Sequence, residues 1–238
     1  MRVLAFDTAS RSTAVAVCDT GARSSFERRD DPPAGARPRH AGRLLELIAA
    51  AMADAGAGWP EIDRIAVGVG PGTFTGLRIG IATAHALARA REIPLVGVST
   101  LESLALGAAR TGSPEAVAAV LDARRGEVFA AAWIVVAGGE RAQLGEQLLA
   151  PVAVAPAAFA RELERVGDCV IAVGDGAVEF RAQLERSGAQ IPEDTSHVHR
   201  VSAISHCELG QVLRAGAPED VVPDYLRLPD AEISRRRS

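Results

Sequence analysis

Two apolar runs in this chain end in a carboxylate: residues 2–7 read RVLAFD, and Ala116 to Leu121 lead into Asp122. A carboxylate at a strand end either caps the turn that follows or holds a cation. Both roles are open to Asp7, whereas Arg124 and Arg125 beside Asp122 point to an ion pair. A second feature is the stretch IAVGVGPGTFTGLRIG at 65–80. Its glycines at 68, 70 and 72 permit close backbone approach, and Thr73 or Thr75 suits a helix N-cap. Such a helix start can receive an anion, but the spacing matches neither GxGxxG nor a Walker loop. The histidines give less. His197, His199 and His206 make a loose cluster without cysteine or carboxylate neighbours, which reads as a surface loop, and His85 suits packing or an interface. Cys18, Cys169 and Cys207 show no CxxC, and nothing sets a base beside a nucleophile.

The chain of 238 residues has no lysine and no asparagine, so all 26 of its basic residues other than histidine are arginine. A catalytic lysine, a P-loop lysine and N-glycosylation are thereby excluded. The hydrophobic fraction is 48%, the formal charge is −4, and Arg235-Arg236-Arg237 is the one basic cluster. That composition describes an ordinary globular protein without an overall field for nucleic acid. No uncharged apolar run reaches about 18 residues, so no membrane span and a cytoplasmic location are expected.

The elements that position these residues follow from periodicity. Strands are predicted at 2–7, 13–18, 22–29, 65–69 and 95–98. From His40 to Ala55 the pattern is helical, with Leu44, Leu47, Ile48 and Ala51 on one face. A second helix runs from Thr73 to Ala90 and a third to about 109. Gly76, Gly80, Ala84 and Ala88 lie four apart in the second helix. Glycine within a helix costs about 1 kcal/mol relative to alanine, so the stripe marks a close approach. Packing on its own sheet and contact with another protein are both open. A further round follows: strands at 116–121, 127–136 and 143–152, a helix at 156–166, a strand at 169–173, and helices at 177–187 and 201–215. LAFDTASRSTAVAV and AVLDARRGEVFAAA repeat as strand, aspartate, turn, strand, and IAVGVG is echoed by IAVGDG. Two copies of a βββαβα unit in an α/β protein follow from that repetition.

A duplicated unit of this kind, with a strand-end aspartate in each half, resembles the actin, hexokinase and Hsp70 superfamily of paired ribonuclease-H-like (ASKHA) lobes. FDTAS at 6–10, GVGPGTFTGLRIGIATAHALA at 68–88, VSTLESLA at 98–105, LDARRGEVFAA at 121–131 and PDYLR at 223–227 resemble the TsaB family, also called YeaZ. The lobes would then be residues 1–99 and 100–222, with an extended basic tail at 223–238. The resemblance implies a non-catalytic subunit, needed to form N6-threonylcarbamoyladenosine at position 37 of tRNAs that read ANN codons. Its partners would be TsaD, which carries metal and nucleotide and transfers the group, and TsaE, an ATPase that binds the pair. A homodimer is a further implied state, and tRNA would be met through the complex.

Family members pair through the helices corresponding to 40–55 and 73–90. That makes His40, Leu44, Leu47, Ile48, Gly72, Thr73, Phe74, Gly76, Arg78, Gly80 and Ala84 the expected contacts. Gly80→Leu is expected to block pairing and leave the monomer folded. Asp7, Thr8, Ser10, Asp122, Gly174 and Gly176 occupy the superfamily's nucleotide positions. The first turn lacks a glycine, the second carries two arginines, and Asp175 splits the glycine pair, so the site reads as degraded. No cofactor of its own is expected, with ATP or ADP placed at the shared interface. The HxxxH metal motif of TsaD is broken here, since Leu44 stands four residues after His40, and no metal is expected. The rival reading is an autonomous ATPase or kinase with Mg²⁺ on Asp7 and Asp122. A metal-dependent glycopeptidase and a homodimer acting outside tRNA are further alternatives.

Overall fold

The structure is a computed structural model that describes residues 1–227 apart from 34, 112–113, 139–140 and 168–169. Cys169 and Arg235-Arg236-Arg237 lie outside the described residues. The chain divides into two units, Met1–Ser103 with Val201–Asp224, and Leu104–Arg200 with the remainder from Tyr225.

In the first unit β1 (Arg2–Asp7), β2 (Thr13–Asp19), β3 (Ser24–Asp30), β4 (Arg64–Gly70) and β5 (Leu95–Ser99) form one sheet in the order β3-β2-β1-β4-β5. β1 is antiparallel to β2 and parallel to β4. Val3 to Asp7 are all buried, because β1 is central and covered on both faces, which is why it reads as an unbroken apolar run. α1 (His40–Asp54) buries Leu44, Leu47, Ile48 and Ala51, the face that the spacing predicts. α2 (Phe74–Arg91) buries Gly76, Leu77, Gly80, Ile81, Ala84 and Ala88. α3 (Thr100–Ala109) crosses the division between the units.

The second unit repeats the plan with four strands: β6 (Ala116–Arg124), β7 (Glu127–Gly138), β8 (Arg141–Val154) and β9 (Val170–Val173), in the order β8-β7-β6-β9. α4 (Pro156–Val166) follows β8, and Phe159 and Leu163 pack on Val120, Val128 and Ala130. The helix predicted at 177–187 is instead α5 (Asp175–Glu179) and α6 (Arg181–Leu184), which meet at Phe180, followed by a 3-10 turn.

The last helix, α7 (Ala203–Val212), packs in the first unit against β1, β2, β4 and β5. The linear division into 1–99 and 100–222 grouped this segment with the second repeat. Small side chains explain where it goes. Ala5, Ala14, Ala16 and Ala66 pave that face of the sheet, and a Cβ on Gly210 would stand 2.7 Å from the Ala66 methyl. Glu27 and Ser202 satisfy the first N–H groups of α7 (Ala203 N to Glu27 Oε1 2.6 Å, Ile204 N to Ser202 Oγ 3.2 Å).

Candidate functional site

Asp7 ends β1 with its side chain turned inward, only 1% exposed. Its Oδ1 accepts the Ala9 N–H at 2.7 Å, the turn cap that the residue type allows. Its Oδ2 accepts the Thr100 hydroxyl at 2.8 Å and faces His206 Nε2 at 3.0 Å, an ion-pair approach that is off axis for a hydrogen bond. The other ring nitrogen of His206 meets Ser103 Oγ at 2.6 Å and the Ser202 carbonyl at 3.1 Å. Burial alone would push the Asp7 carboxyl up. The His206 imidazole, the Ala9 N–H and the Thr100 hydroxyl outweigh burial and hold it below its ordinary value. Asp7, His206 and Ser103 form a serine–histidine–aspartate chain, yet Ser103 and His206 are wholly enclosed and no substrate reaches the hydroxyl.

The glycines of the 68–80 stretch close over this turn. A Cβ on Gly68 would overlap Asp7 and stand 3.1 Å from His206 Nε2. One on Gly76 would overlap the Thr8 carbonyl, one on Gly80 the Thr8 hydroxyl, and one on Gly72 would lie 2.6 Å from the Ala9 methyl. Thr8 Oγ1 donates to the Gly76 carbonyl at 2.7 Å, and Thr73 N donates to the Ala9 carbonyl at 2.7 Å. Ser10 Oγ accepts from Ser12 N at 3.3 Å. The start of α2 thus lies in direct contact with the first turn.

Asp122, at the same place in the second unit, is half-buried. It is held by Arg124, whose N–H donates to Oδ1 at 2.8 Å and whose guanidinium lies 2.9 Å from Oδ2. The ion pair expected from the two arginines is present at Arg124. Arg124, Arg125 and Gly126 all have left-handed backbones, with φ of 65°, 59° and 75°. Gly174 and Gly176 sit directly over β6, where a Cβ on Gly176 would be 2.7 Å from the Leu121 carbonyl carbon. The crowding of surrounding atoms pushes the Asp175 carboxyl up, and the nearby Asp122 charge adds to it against the pull of the Asp122 N–H. The Asp175 side chain remains open to solvent, which limits that push.

The histidines do not converge. His206 belongs to the first unit and His199 to the second, where its Nδ1 accepts the Gly174 N–H at 3.1 Å and Nε2 faces the Pro192 carbonyl at 3.2 Å. His85 Nε2 reaches the Val221 carbonyl at 2.9 Å. Among the described residues no three ligand-type side chains are grouped to hold a metal.

Of the residues expected at a partner interface, His40, Leu44, Leu47, Ile48, Gly76, Gly80 and Ala84 are buried within their own unit. His40 Nδ1 is 2.8 Å from Thr13 Oγ1, and burial lowers its basicity against the opposing charges of Asp7 and Asp30. Gly72 and Thr73 are half-buried, and Phe74 and Arg78 are exposed, with the guanidinium stacked 3.9 Å above the ring. The small-residue stripe is thus an intramolecular contact. Leucine at position 80 would collide with Thr8 and report on folding before pairing.

The outer faces of the same helices are apolar too. Ala41, Leu45, Ala49 and Ala53 are exposed along α1, and Phe74, Ala82, Ala86 and Ala90 along α2. Leu45 is 59% and Phe74 38% exposed. On α1 these residues fall four apart in the sequence, beside the competing stripe at 44, 47, 48 and 51, whereas on α2 the exposed Arg78 interrupts the row between Phe74 and Ala82.

The two units share one strand order and define a pair of ASKHA-type, ribonuclease-H-like lobes. The ROK hexokinase of Thermus thermophilus, at 15% identity and a TM-score of 0.50 over 89% of this chain and 99% of that one, shares this fold. YeaZ from Pseudomonas aeruginosa superimposes over 94% of this chain and 99% of its own, with a TM-score of 0.75 and 26% identity. The family model described as TsaD, tRNA N6-adenosine threonylcarbamoyltransferase, matches residues 32–234. TsaB of Escherichia coli K12, a tRNA threonylcarbamoyladenosine biosynthesis protein, is 40% identical over 54% of this chain and 53% of its own length. TsaB of Bacillus subtilis 168 is 28% identical over 82% and 83%. The chain spans about half the length of the first of these curated relatives. It belongs to this TsaD-type family, in its TsaB (YeaZ) branch.

Proposed function

We propose that this chain is a non-catalytic, cytoplasmic subunit that forms a heterodimer with TsaD and supports formation of N6-threonylcarbamoyladenosine in tRNA. The observation that carries the reading is the exposed apolar face of α1 and α2, in a chain whose family relatives bear names from that pathway. Two neighbouring helices with exposed alanines and a leucine offer a flat surface for two helices of a paralogue, at the close end of the 8–10 Å range of helix packing. Burying a leucine contributes about 1.5–3 kcal/mol, enough for one or two decades of affinity. No helix among the described residues is long and apolar enough to cross a membrane, which agrees with a cytoplasmic place.

The nucleotide and metal are assigned to TsaD, because Asp7 has both oxygens engaged and Asp122 is held by Arg124. The same occupancy weighs against an autonomous ATPase. TsaE is assigned to the assembled pair, and tRNA is met through the complex.

Reconstitution tests the reading. TsaD, TsaE, the adenylate-forming enzyme and tRNA are combined with this chain, with its Leu45→Glu variant, or with neither. Repeated turnover of modification is expected only with the wild-type chain, and Leu45→Glu should weaken TsaD binding at least about tenfold without unfolding. Equal modification without the chain would overturn the proposal.

A further inference from the structure

The Asp7–His206 pair lies where three segments of the first unit meet. Asp7 ends β1, Thr100 and Ser103 come from the start of α3, and His206 comes from α7 with Ser202 just before it. The chain leaves the first unit after Ser103 and re-enters it at Val201. Ser103 Oγ and the Ser202 carbonyl are themselves 3.1 Å apart, so the exit and the return of the chain are joined at one imidazole. On the far side of Asp7 the turn passes directly to α2. Asp7 Oδ1 fixes the Ala9 N–H, the Ala9 carbonyl receives the Thr73 N–H, and Thr8 Oγ1 bonds the Gly76 carbonyl.

Thr73 is the N-cap of α2 yet makes no side-chain capping bond, and no acidic residue stands in the first turn. The helix start is therefore held by the 7–10 turn and not by local capping. Phe74 and Arg78, the exposed end of α2, ride on that start.

We propose that Asp7 and His206 are positioning residues for the partner face: they lock the 7–10 turn, set the start of α2 with Phe74 and Arg78, and couple it to both chain crossings. The binding consequence rests on the partner reading above, whereas the positional claim stands without it. An aspartate in a ligand-type position thus serves as an internal tie, with both carboxylate oxygens engaged by neighbours within the fold.

The obvious alternative is that the pair merely stabilises the first unit. Hydrogen exchange of the full chain separates the two. Asp7→Asn keeps the shape and the acceptor for Ala9 but removes the charge, and His206→Gln removes the ring. If the pair positions α2, exchange at the Thr73 and Leu77 amides should rise at least about tenfold more than at Ala66 and Val67 in β4. A merely structural role would raise all four by one common factor, and that result would overturn the proposal. The double variant Asp7→Asn with His206→Gln, a neutral pair, should recover more than half of the excess on a logarithmic scale.

Affinity for purified TsaD should fall at least tenfold in each single variant while Leu45 and Phe74 remain in place. Unchanged affinity in the folded single variants would refute the coupling to binding. If wild type itself binds no TsaD, the partner reading fails and the exchange experiment alone decides the inference. Should both single variants fail to fold, Ser103→Ala, which leaves no stranded charge, is measured in the same way. It should show the Thr73 excess at about threefold, and uniform exchange there would equally overturn the proposal.

Discussion

Asp7 and Asp122 hold the same topological place, the end of the first strand of each repeat, and their surroundings are opposite. Around Asp7 the glycines of α2 let helix backbone come down onto the turn, so the carboxylate is buried and must be satisfied by partners within the fold. Around Asp122 the short helix α5 also comes down through Gly176, but onto the backbone of Leu121 and Asp122, and one arginine from the turn holds the carboxylate near the surface. A duplicated fold preserves where a residue stands. What it does depends on whether the neighbouring helix closes over the carboxylate, as α2 does, or only over the strand backbone, as α5 does.

The largest expected effect breaks this contrast directly. Asp7→Ala leaves the buried His206 without its carboxylate neighbour, and removal of one member of a buried pair costs about 3–5 kcal/mol. Asp122→Ala should cost about 1 kcal/mol, a surface ion pair and one turn bond. The two tryptophans make the test specific: Trp59 lies in the first unit and Trp133 in the second. Urea titrations of Trp59→Phe and Trp133→Phe versions follow each unit alone. Equal losses for the two aspartates would erase the comparison.

Next in size are the glycines. Gly76→Ala drives a methyl into the Thr8 carbonyl and should cost about 2–3 kcal/mol, because helix and strand must move apart. Gly126→Ala meets nothing within 4 Å and suffers only from its φ of 75°, about 1 kcal/mol. Thermal unfolding followed by the fluorescence of each unit ranks the two.

Acid sharpens the comparison further. Asp7 is depressed in the fold, so its stabilisation is complete above its ordinary value of 3.8 and is lost as the pH falls through the lower native value. Asp175 is raised, so its contribution is present below 3.8 and is lost as the pH rises through the native value. The Trp59 transition should therefore weaken below about pH 4, with that slope removed in Asp7→Asn. Asp175→Asn should stabilise the second unit at neutral pH by less than about 1 kcal/mol, read from the Trp133 transition.

Much of this architecture is legible in the sequence because it is local. The buried face of α1 follows from Leu44, Leu47, Ile48 and Ala51, and the repeat follows from two short matched stretches. The choice between packing and contact for Gly76, Gly80 and Ala84 is not legible. Periodicity tells which residues share a face, but α1 and α2 each carry two apolar faces, and only the position of the sheet says which one is turned inward. His206 escapes for a different reason. Nothing near it in sequence is acidic except Glu208, and its partner Asp7 comes from the other end of the chain through the return of α7 to the first unit. The place of α7 depends on small alanines of three strands, which no window of α7 contains.

The smallest expected effect concerns the surface aspartate's own turn. Arg124 and Arg125 hold left-handed conformations that disfavour side chains by about 1 kcal/mol each, at hairpin positions where glycine or asparagine fits better. Arg125→Gly should therefore stabilise the second unit by about 0.5–1 kcal/mol. Arg124→Gly should gain less, since it also releases Asp122. The Arg124 guanidinium already pairs with Asp122 within the fold. If Arg125→Gly raises the Trp133 midpoint while slowing tRNA modification, most strongly at low salt, the second turn retains an electrostatic task that the first, sealed by glycines, has lost. If the midpoint rises and modification is unchanged at every salt concentration, both turns are structural and the two aspartates differ only in burial.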